Sequence, residues 1–283
     1  MPEHPTTSPQ DAGTPSAPRS DLGAGIRGQF PILAQTHNGK PLTYLDSAAT
    51  SQKPEVVIET LSSYYRTTNA NVHRGTYAIS QHATELFEGA RERIAAFTGA
   101  PANATVFTRN VTEAINLVSN AWGRDNLGPG DVVLTTEMEH HSNIVPWQLI
   151  CEETGARLEY IPITDGFLLD MDVLDAKLAV GNVKMLAAVH VSNVLGTIND
   201  VAEITRRGHA AGATVLIDGA QAVPQMPVDV AAIGADFYVW TAHKVYAPNG
   251  VGVLHGNYDT LKAMRPWLGG GDMIKTVNWD CST

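Results

Sequence analysis

An α/β fold, with a mainly parallel sheet and helices on both faces, is predicted by three features of the sequence. Short apolar runs rich in β-branched and aromatic residues recur along the chain, stretches of helical spacing separate them, and several runs end in a polar group instead of another apolar residue. The pattern is clearest at 213–244. Runs at 213–217 and 236–240 read as buried strands; the first passes into Asp218-Gly219-Ala220-Gln221 and the second into Thr241-Ala242-His243-Lys244. The residues between them suffice for a crossover. The two strands can therefore lie parallel, with both polar ends at one sheet edge, where open α/β sheets bind ligands.

A buried Asp facing a buried Lys has two readings. One is a structural ion pair, which by itself says little about function. The other is a pyridoxal phosphate site, in which a carboxylate keeps the pyridine nitrogen protonated and a lysine amine carries the cofactor as a Schiff base.

The 283 residues are 43% hydrophobic, enough to bury a sizeable core. A net charge of −10 without any run of Lys or Arg argues against nucleic acid and anionic membranes as partners. Two cysteines, Cys151 and Cys281, exclude a disulfide framework and a four-cysteine metal site, and fit a reducing cytoplasm. Residues 1–25 are rich in Pro, Ser, Thr and Gly without an apolar centre, so they are expected to be a disordered tail and not a signal peptide.

Taken in order, 26–45 forms an N-terminal segment with a turn at His37-Asn38-Gly39-Lys40 and a strand at 42–45, followed by Asp46-Ser47-Ala48-Ala49-Thr50. Helical spacing runs over 56–65 and 80–98, the latter closed by Gly99. Between them, His73 and Arg74 stand in a polar loop. A strand at 105–108 leads into a helix at 114–122. The turn between them makes Thr112 a phosphate-binding candidate, because a helix start offers free amides and the positive end of a dipole. A strand at 131–135 ends in Glu139-His140-His141. Adjacent histidines point apart on either a strand or a helix, and no Cys or acid lies at zinc spacing, so no metal is expected. A ring stacked on a flat cofactor suits His140 better.

Cys151 falls in a helix at 144–154 and reads as a small buried hydrophobe. Further strands are expected at 158–163 and 185–191, the latter followed by Asn193, with helices at 173–179 and 201–211. After Lys244, a short antiparallel return strand at 251–254 and a helix at 261–267 complete the pattern. The strand ends thus deliver Thr112, His140, Asn193, Asp218, Gln221, His243 and Lys244 to one edge. Together they offer a phosphate anchor, a stacking ring, a donor for a phenolic oxygen, a carboxylate and an amine, whereas an ion pair explains only two of the seven.

Six blocks carry a family resemblance. They are Leu45-Asp46-Ser47-Ala48-Ala49, Asn71-Val72-His73-Arg74-Gly75, the block at 139–147 that opens Glu139-His140-His141-Ser142-Asn143, the block at 190–197 around Asn193, Asp218-Gly219-Ala220-Gln221, and His243-Lys244. In this order they resemble the SUF-type (group II) cysteine desulfurases of the class-V aminotransferase-like family, over 26–283. The resemblance implies a fold-type I pyridoxal phosphate enzyme. It would be a cytoplasmic homodimer that takes sulfur from L-cysteine, leaves L-alanine, and passes the sulfur to an acceptor protein of iron-sulfur cluster assembly.

By position, the resemblance makes Lys244 the Schiff-base lysine and catalytic base, Asp218 the partner of the ring nitrogen, and His140 the stacking, catalytic histidine. Asn193 and Gln221 would lie near the substrate carboxylate and the phenolic oxygen, while Thr112, Thr241 and His243 would hold the phosphate. Ala48, Ala49 and His73 would lie near the substrate. Thr241 stands where the family usually has Ser, which keeps the hydroxyl.

The family's persulfide cysteine, in a later His-Cys loop, has no counterpart here, nor does the small C-terminal domain. Residues 46–283 are therefore expected to be the large cofactor domain, incomplete at its C-terminal end, and the chain alone is expected to be inactive. Alternatives are a selenocysteine lyase, another class-V enzyme, or a non-catalytic scaffold that keeps the fold.

Overall fold

A computed structural model describes residues 21–274 and 276–280. Most of the tail predicted over 1–25 lies outside these residues, as does Cys281. Residues 21–25 instead open a helix, α1 (Asp21–Arg27), which docks because the Arg27 guanidinium donates to the carbonyls of Leu33 (2.6 Å) and Leu42 (2.8 Å). Two short strands follow, β1 (Thr36–His37) and β2 (Lys40–Pro41), paired antiparallel across the predicted turn. Asn38 and Gly39 both have positive φ, as a tight hairpin turn of matching twist requires. The strand predicted at 42–45 does not form: the segment finds no sheet partner among the described residues, and Leu45 is 90% exposed.

Helices α2 (Glu55–Thr67) and α3 (Ala78–Phe97) precede the main sheet, and Gly99 with φ 67° turns the chain away from α3. Then β3 (Thr105–Thr108), α4 (Val111–Ala121), α5 (Gly123–Asn126), β4 (Val132–Thr136), α6 (Val145–Thr154) and β5 (Arg157–Ile161) succeed one another. The second half runs α7 (Met171–Leu178), β6 (Val183–Val189), α8 (Val201–Ala210), β7 (Thr214–Asp218), α9 (Val230–Ile233), β8 (Phe237–Thr241), β9 (Gly252–Gly256) and α10 (Tyr258–Ala263). Helix α10 starts and stops earlier than predicted. Asn257 caps its amides at 259 and 260, and Pro266 disfavours helical geometry at the residue before it.

Seven strands form one sheet in the order β3-β9-β8-β7-β6-β4-β5. All neighbouring pairs are parallel except the two made by β9, which returns antiparallel as the sequence predicts and lies between β8 and β3. Alternation divides the core between the two faces. Val215, Ile217, Tyr238 and Trp240 pack on one face with Leu174 and Ile204 of α7 and α8. Leu216, Phe237 and Val239 pack on the other with Ile115, Val118, Trp147 and Ile150 of α4 and α6. Cys151 lies within this second layer, buried as predicted. No helix among the described residues is long and apolar enough to cross a membrane.

On the same face as Trp240, His255 on β9 is almost fully buried. The Trp240 indole N–H donates to its Nε2 (3.0 Å), leaving Nδ1 to donate to the Thr105 hydroxyl (3.0 Å). A proton on Nε2 would face the indole N–H, and burial pushes the imidazole down from 6.5 to about 4. The depressed value means that stability is fully present above the unfolded pKa and is lost as pH falls from 6.5 toward 4, by about 3 kcal/mol. Denaturant titrations across that window should show this loss, and His255→Asn should flatten it; an unchanged slope would refute the assignment.

Candidate active site

The carboxyl ends of β3, β4, β6, β7 and β8 meet at one edge and wall a cavity of about 480 Å³. Thr112, His140, Asn193, Asp218, Gln221, Thr241, His243 and Lys244, together with Ala48 and Ala49, all line it. His73 does not, contrary to expectation. Its imidazole Nε2 bonds Glu88 on α3 (2.8 Å), its ring edge meets Phe87, and its backbone N–H donates to the Thr84 hydroxyl (2.9 Å). Three contacts from one helix hold it away from the cavity.

One end of the cavity is the start of α4. Asn110 caps that helix by accepting from Glu113 N (2.8 Å), which leaves the first-turn amides of Val111 and Thr112 outside the helix's own bonding at the positive end of its dipole. The Thr112 hydroxyl lies 2.8 Å from the Ser142 hydroxyl, which in turn lies 3.0 Å from His140 Nδ1. Ser142 N also donates to that Nδ1 (3.2 Å), so Nδ1 is the acceptor and the ring proton sits on Nε2. Burial, with Lys244 and His141 nearby, lowers the His140 pKa and keeps the ring neutral. Ser142 was not singled out by the sequence; its position two residues beyond His140 is the signal, since a short turn brings such a hydroxyl back onto the ring.

Asp218 ends β7 and is 2% exposed. Burial raises its carboxyl to about 6, opposed by the Ala220 N–H that donates to it (2.9 Å) and by the Lys244 ammonium. Burial lowers the Lys244 pKa, with the Asp218 charge opposing. Each group therefore resists ionisation by itself and is helped by the other. Gln221 extends across the cavity and its amide donates to the Ala48 carbonyl (2.8 Å), tying the 46–50 segment to the β7 loop.

A second buried acid, Glu139, stands behind His140. It accepts from the Thr136 hydroxyl (2.6 Å), Val189 N (2.7 Å) and the Asn143 amide (2.7 Å), yet burial and the nearby Asp218 charge push it up to about 8. It ties the end of β4 to the end of β6, two walls of the site. Sequence reasoning passed over it because an acid beside two histidines gives no sign of being buried.

These groups fit pyridoxal phosphate. The α4 N-terminus with its hydroxyl and the Thr241 and His243 pair suit a dianion, the neutral His140 ring suits a flat aromatic, and the buried Asp218 and Lys244 suit a ring nitrogen and an aldehyde carbon. No group of three His, Cys, Asp or Glu side chains with metal-binding geometry occurs among the described residues.

The family model for aminotransferase class-V matches residues 43–283. A "Probable cysteine desulfurase" of Mycolicibacterium paratuberculosis is 49% identical over 260 residues, covering 92% of this chain and 38% of that protein. A "Cysteine desulfurase" of Enterobacter is 49% identical over 254 residues, 89% of this chain and 62% of that protein. The crystal structure of the cysteine desulfurase CsdA from Escherichia coli superimposes with a TM-score of 0.83 at 41% identity, over 92% of this chain and 64% of that one. The apo structure of a cysteine desulfurase from Thermococcus onnurineus gives a TM-score of 0.85 at 35% identity. The chain thus spans less than two thirds of these relatives. Class-V aminotransferases and cysteine desulfurases are pyridoxal phosphate-dependent, and their fold is fold-type I, as the parallel sheet and its ligand edge require. With a family match over most of its length and a cavity whose donors suit that cofactor, this chain belongs to the class-V aminotransferase family.

Proposed function

We propose that this chain is the cofactor-binding part of a cysteine desulfurase of the SUF type, acting on L-cysteine to give L-alanine and a protein-bound persulfide. The observation that carries this reading is the convergence of Asp218, Lys244, His140 and the α4 N-terminus on one cavity. Thr112, Thr241 and His243 would hold the phosphate, His140 would pack on the ring, and Asn193 and Gln221 would lie near the substrate carboxylate and the phenolic oxygen. The cofactor, when bound, supplies an electron sink whose ring nitrogen Asp218 holds protonated. Lys244 would hold the cofactor through its amine and would take the substrate's α-proton at Nζ and return it; its lowered pKa suits it to that exchange.

Cys151 is not the attacking thiol. It is 5% exposed in the second core layer, and burial raises it to about 11, whereas a nucleophilic cysteine is exposed and acidified. Homodimerisation, a cytoplasmic location and a sulfur acceptor of iron-sulfur assembly follow from the motif resemblance. Selenocysteine as the favoured substrate is the second reading, and product analysis with both amino acids separates the two.

The decisive experiment needs no sulfur chemistry. Pyridoxal phosphate added to the chain should give an absorbance band of protein-held cofactor and should catalyse exchange of the L-alanine α-hydrogen with deuterated water. Lys244→Ala should abolish the band and slow the exchange by about 10²- to 10⁴-fold. A parent chain that yields neither signal is a scaffold and not an enzyme domain.

A further inference from the structure

The carbonyl of His243, one residue before Lys244, receives four donors from a segment some 190 residues away. They are Ser51 N (3.0 Å), the Ser51 hydroxyl (3.0 Å), the Lys53 ammonium (2.9 Å) and the Thr50 hydroxyl (3.2 Å). A carbonyl oxygen has only two lone pairs, so this convergence exceeds what a loop needs in order to satisfy one acceptor. The Thr50 hydroxyl also lies 3.1 Å from His243 Nδ1.

The same segment grips the chain on the other side of Lys244. Tyr246 has a φ of 68°, a conformation that a bulky L-residue keeps only when its surroundings hold it. Its N–H donates to the Ser51 hydroxyl (2.7 Å). Ser51 is 3% exposed, so one buried hydroxyl accepts from the residue after next and donates to the residue before the lysine. The segment is itself anchored: the Gln221 amide holds the Ala48 carbonyl and the Tyr44 hydroxyl holds the Thr50 carbonyl (2.6 Å). Thr50 and the Gln221 anchor also touch groups that line the cavity, whereas the Ser51 and Lys53 contacts with 243 and 246 reach only backbone, so their effect falls on the Lys244 backbone.

We infer that Thr50, Ser51 and Lys53 are positioning residues that clamp the backbone on both sides of Lys244 and so fix where its amine meets the cofactor. The inference deepens the cofactor role proposed for Lys244 and rests on it. A reacting amine must be held within fractions of an ångström, and a short 3₁₀ turn such as 242–244 is too small to do that alone.

The test begins with the chain free of cofactor. Ser51→Ala should speed amide hydrogen exchange across 242–247 by about tenfold or more, while the strands β6 and β7 keep their protection. With pyridoxal phosphate added, Ser51→Ala and Lys53→Met should slow the borohydride-trappable attachment to Lys244 without lowering the amount of cofactor retained, and Lys53→Arg should restore the rate. Parent-like exchange and attachment in both variants would overturn the clamp, as would faster exchange spread evenly over the sheet. A parent chain without any Lys244-dependent attachment would instead remove the cofactor reading, and the exchange at 242–247 would still decide whether the clamp exists.

Discussion

Gly219→Ala should abolish the folded site. A Cβ at this position would lie 2.2 to 2.3 Å from three atoms of the Tyr238 ring, including its hydroxyl. The ring cannot retreat: Tyr238 is fully buried on β8, and its hydroxyl is bonded to His190 Nδ1 at 2.9 Å. Nor can the backbone retreat, since Gly219 N donates to the Val239 carbonyl (2.8 Å) and its neighbour Asp218 carries the charge of the site. Ordinary overpacking costs about 1 to 3 kcal/mol, and an approach this close exceeds that range. The variant should unfold at much lower denaturant and should fail to hold pyridoxal phosphate. Adding Tyr238→Leu removes the opposing ring atoms and should recover a good part of the loss. Equal destabilisation by the single and double variants would mean that the ring is not what the glycine accommodates.

Asp218→Asn should leave the fold intact and disable the chemistry. Asparagine is nearly isosteric and keeps an acceptor for the Ala220 N–H, so denaturation should shift little. What disappears is the one buried negative charge that favours protonated Lys244 and, when the cofactor is bound, a protonated ring nitrogen. Exchange of the L-alanine α-hydrogen should fall by about 10²- to 10³-fold, the scale of losing one aligned electrostatic partner in a dry site. The parent's exchange should also rise with pH through about 6, because the carboxyl that burial raises must ionise before it can act, and this rise should vanish in the variant. A variant with parental exchange and the same pH profile would reduce Asp218 and Lys244 to a structural pair.

Much of this site could be read from the order of residues. Asp218, Thr241 and Thr136 each end a buried strand, and in a parallel sheet such ends must fall on one edge whatever the strand order. Local pattern therefore sufficed for Lys244, His140, Thr112 and Asn193, all within a few residues of a strand end. It failed where local pattern carries no information about the partner. Leu42, Thr43, Tyr44 and Leu45 look like a strand, but strand pairing is a property of two segments, and among the described residues no second segment pairs with them.

His73 shows the same limit from the other side. Its loop carries the family's motif, but the contacts that decide its place come from Thr84, Phe87 and Glu88, one helix later. Glu139 carries no local sign of burial, yet it is the hydrogen-bonded tie between two strands. The sequence by itself determined the fold class, the strand ends and the chemical types delivered to the sheet edge, because periodicity and polarity are local. Only the tertiary structure decided that Ser51 and Lys53 grip the carbonyl before Lys244, that Ser142 links Thr112 to His140, and that His73 stands apart. Those contacts join segments as much as 192 residues apart, and they exist only once packing has closed the loops between them.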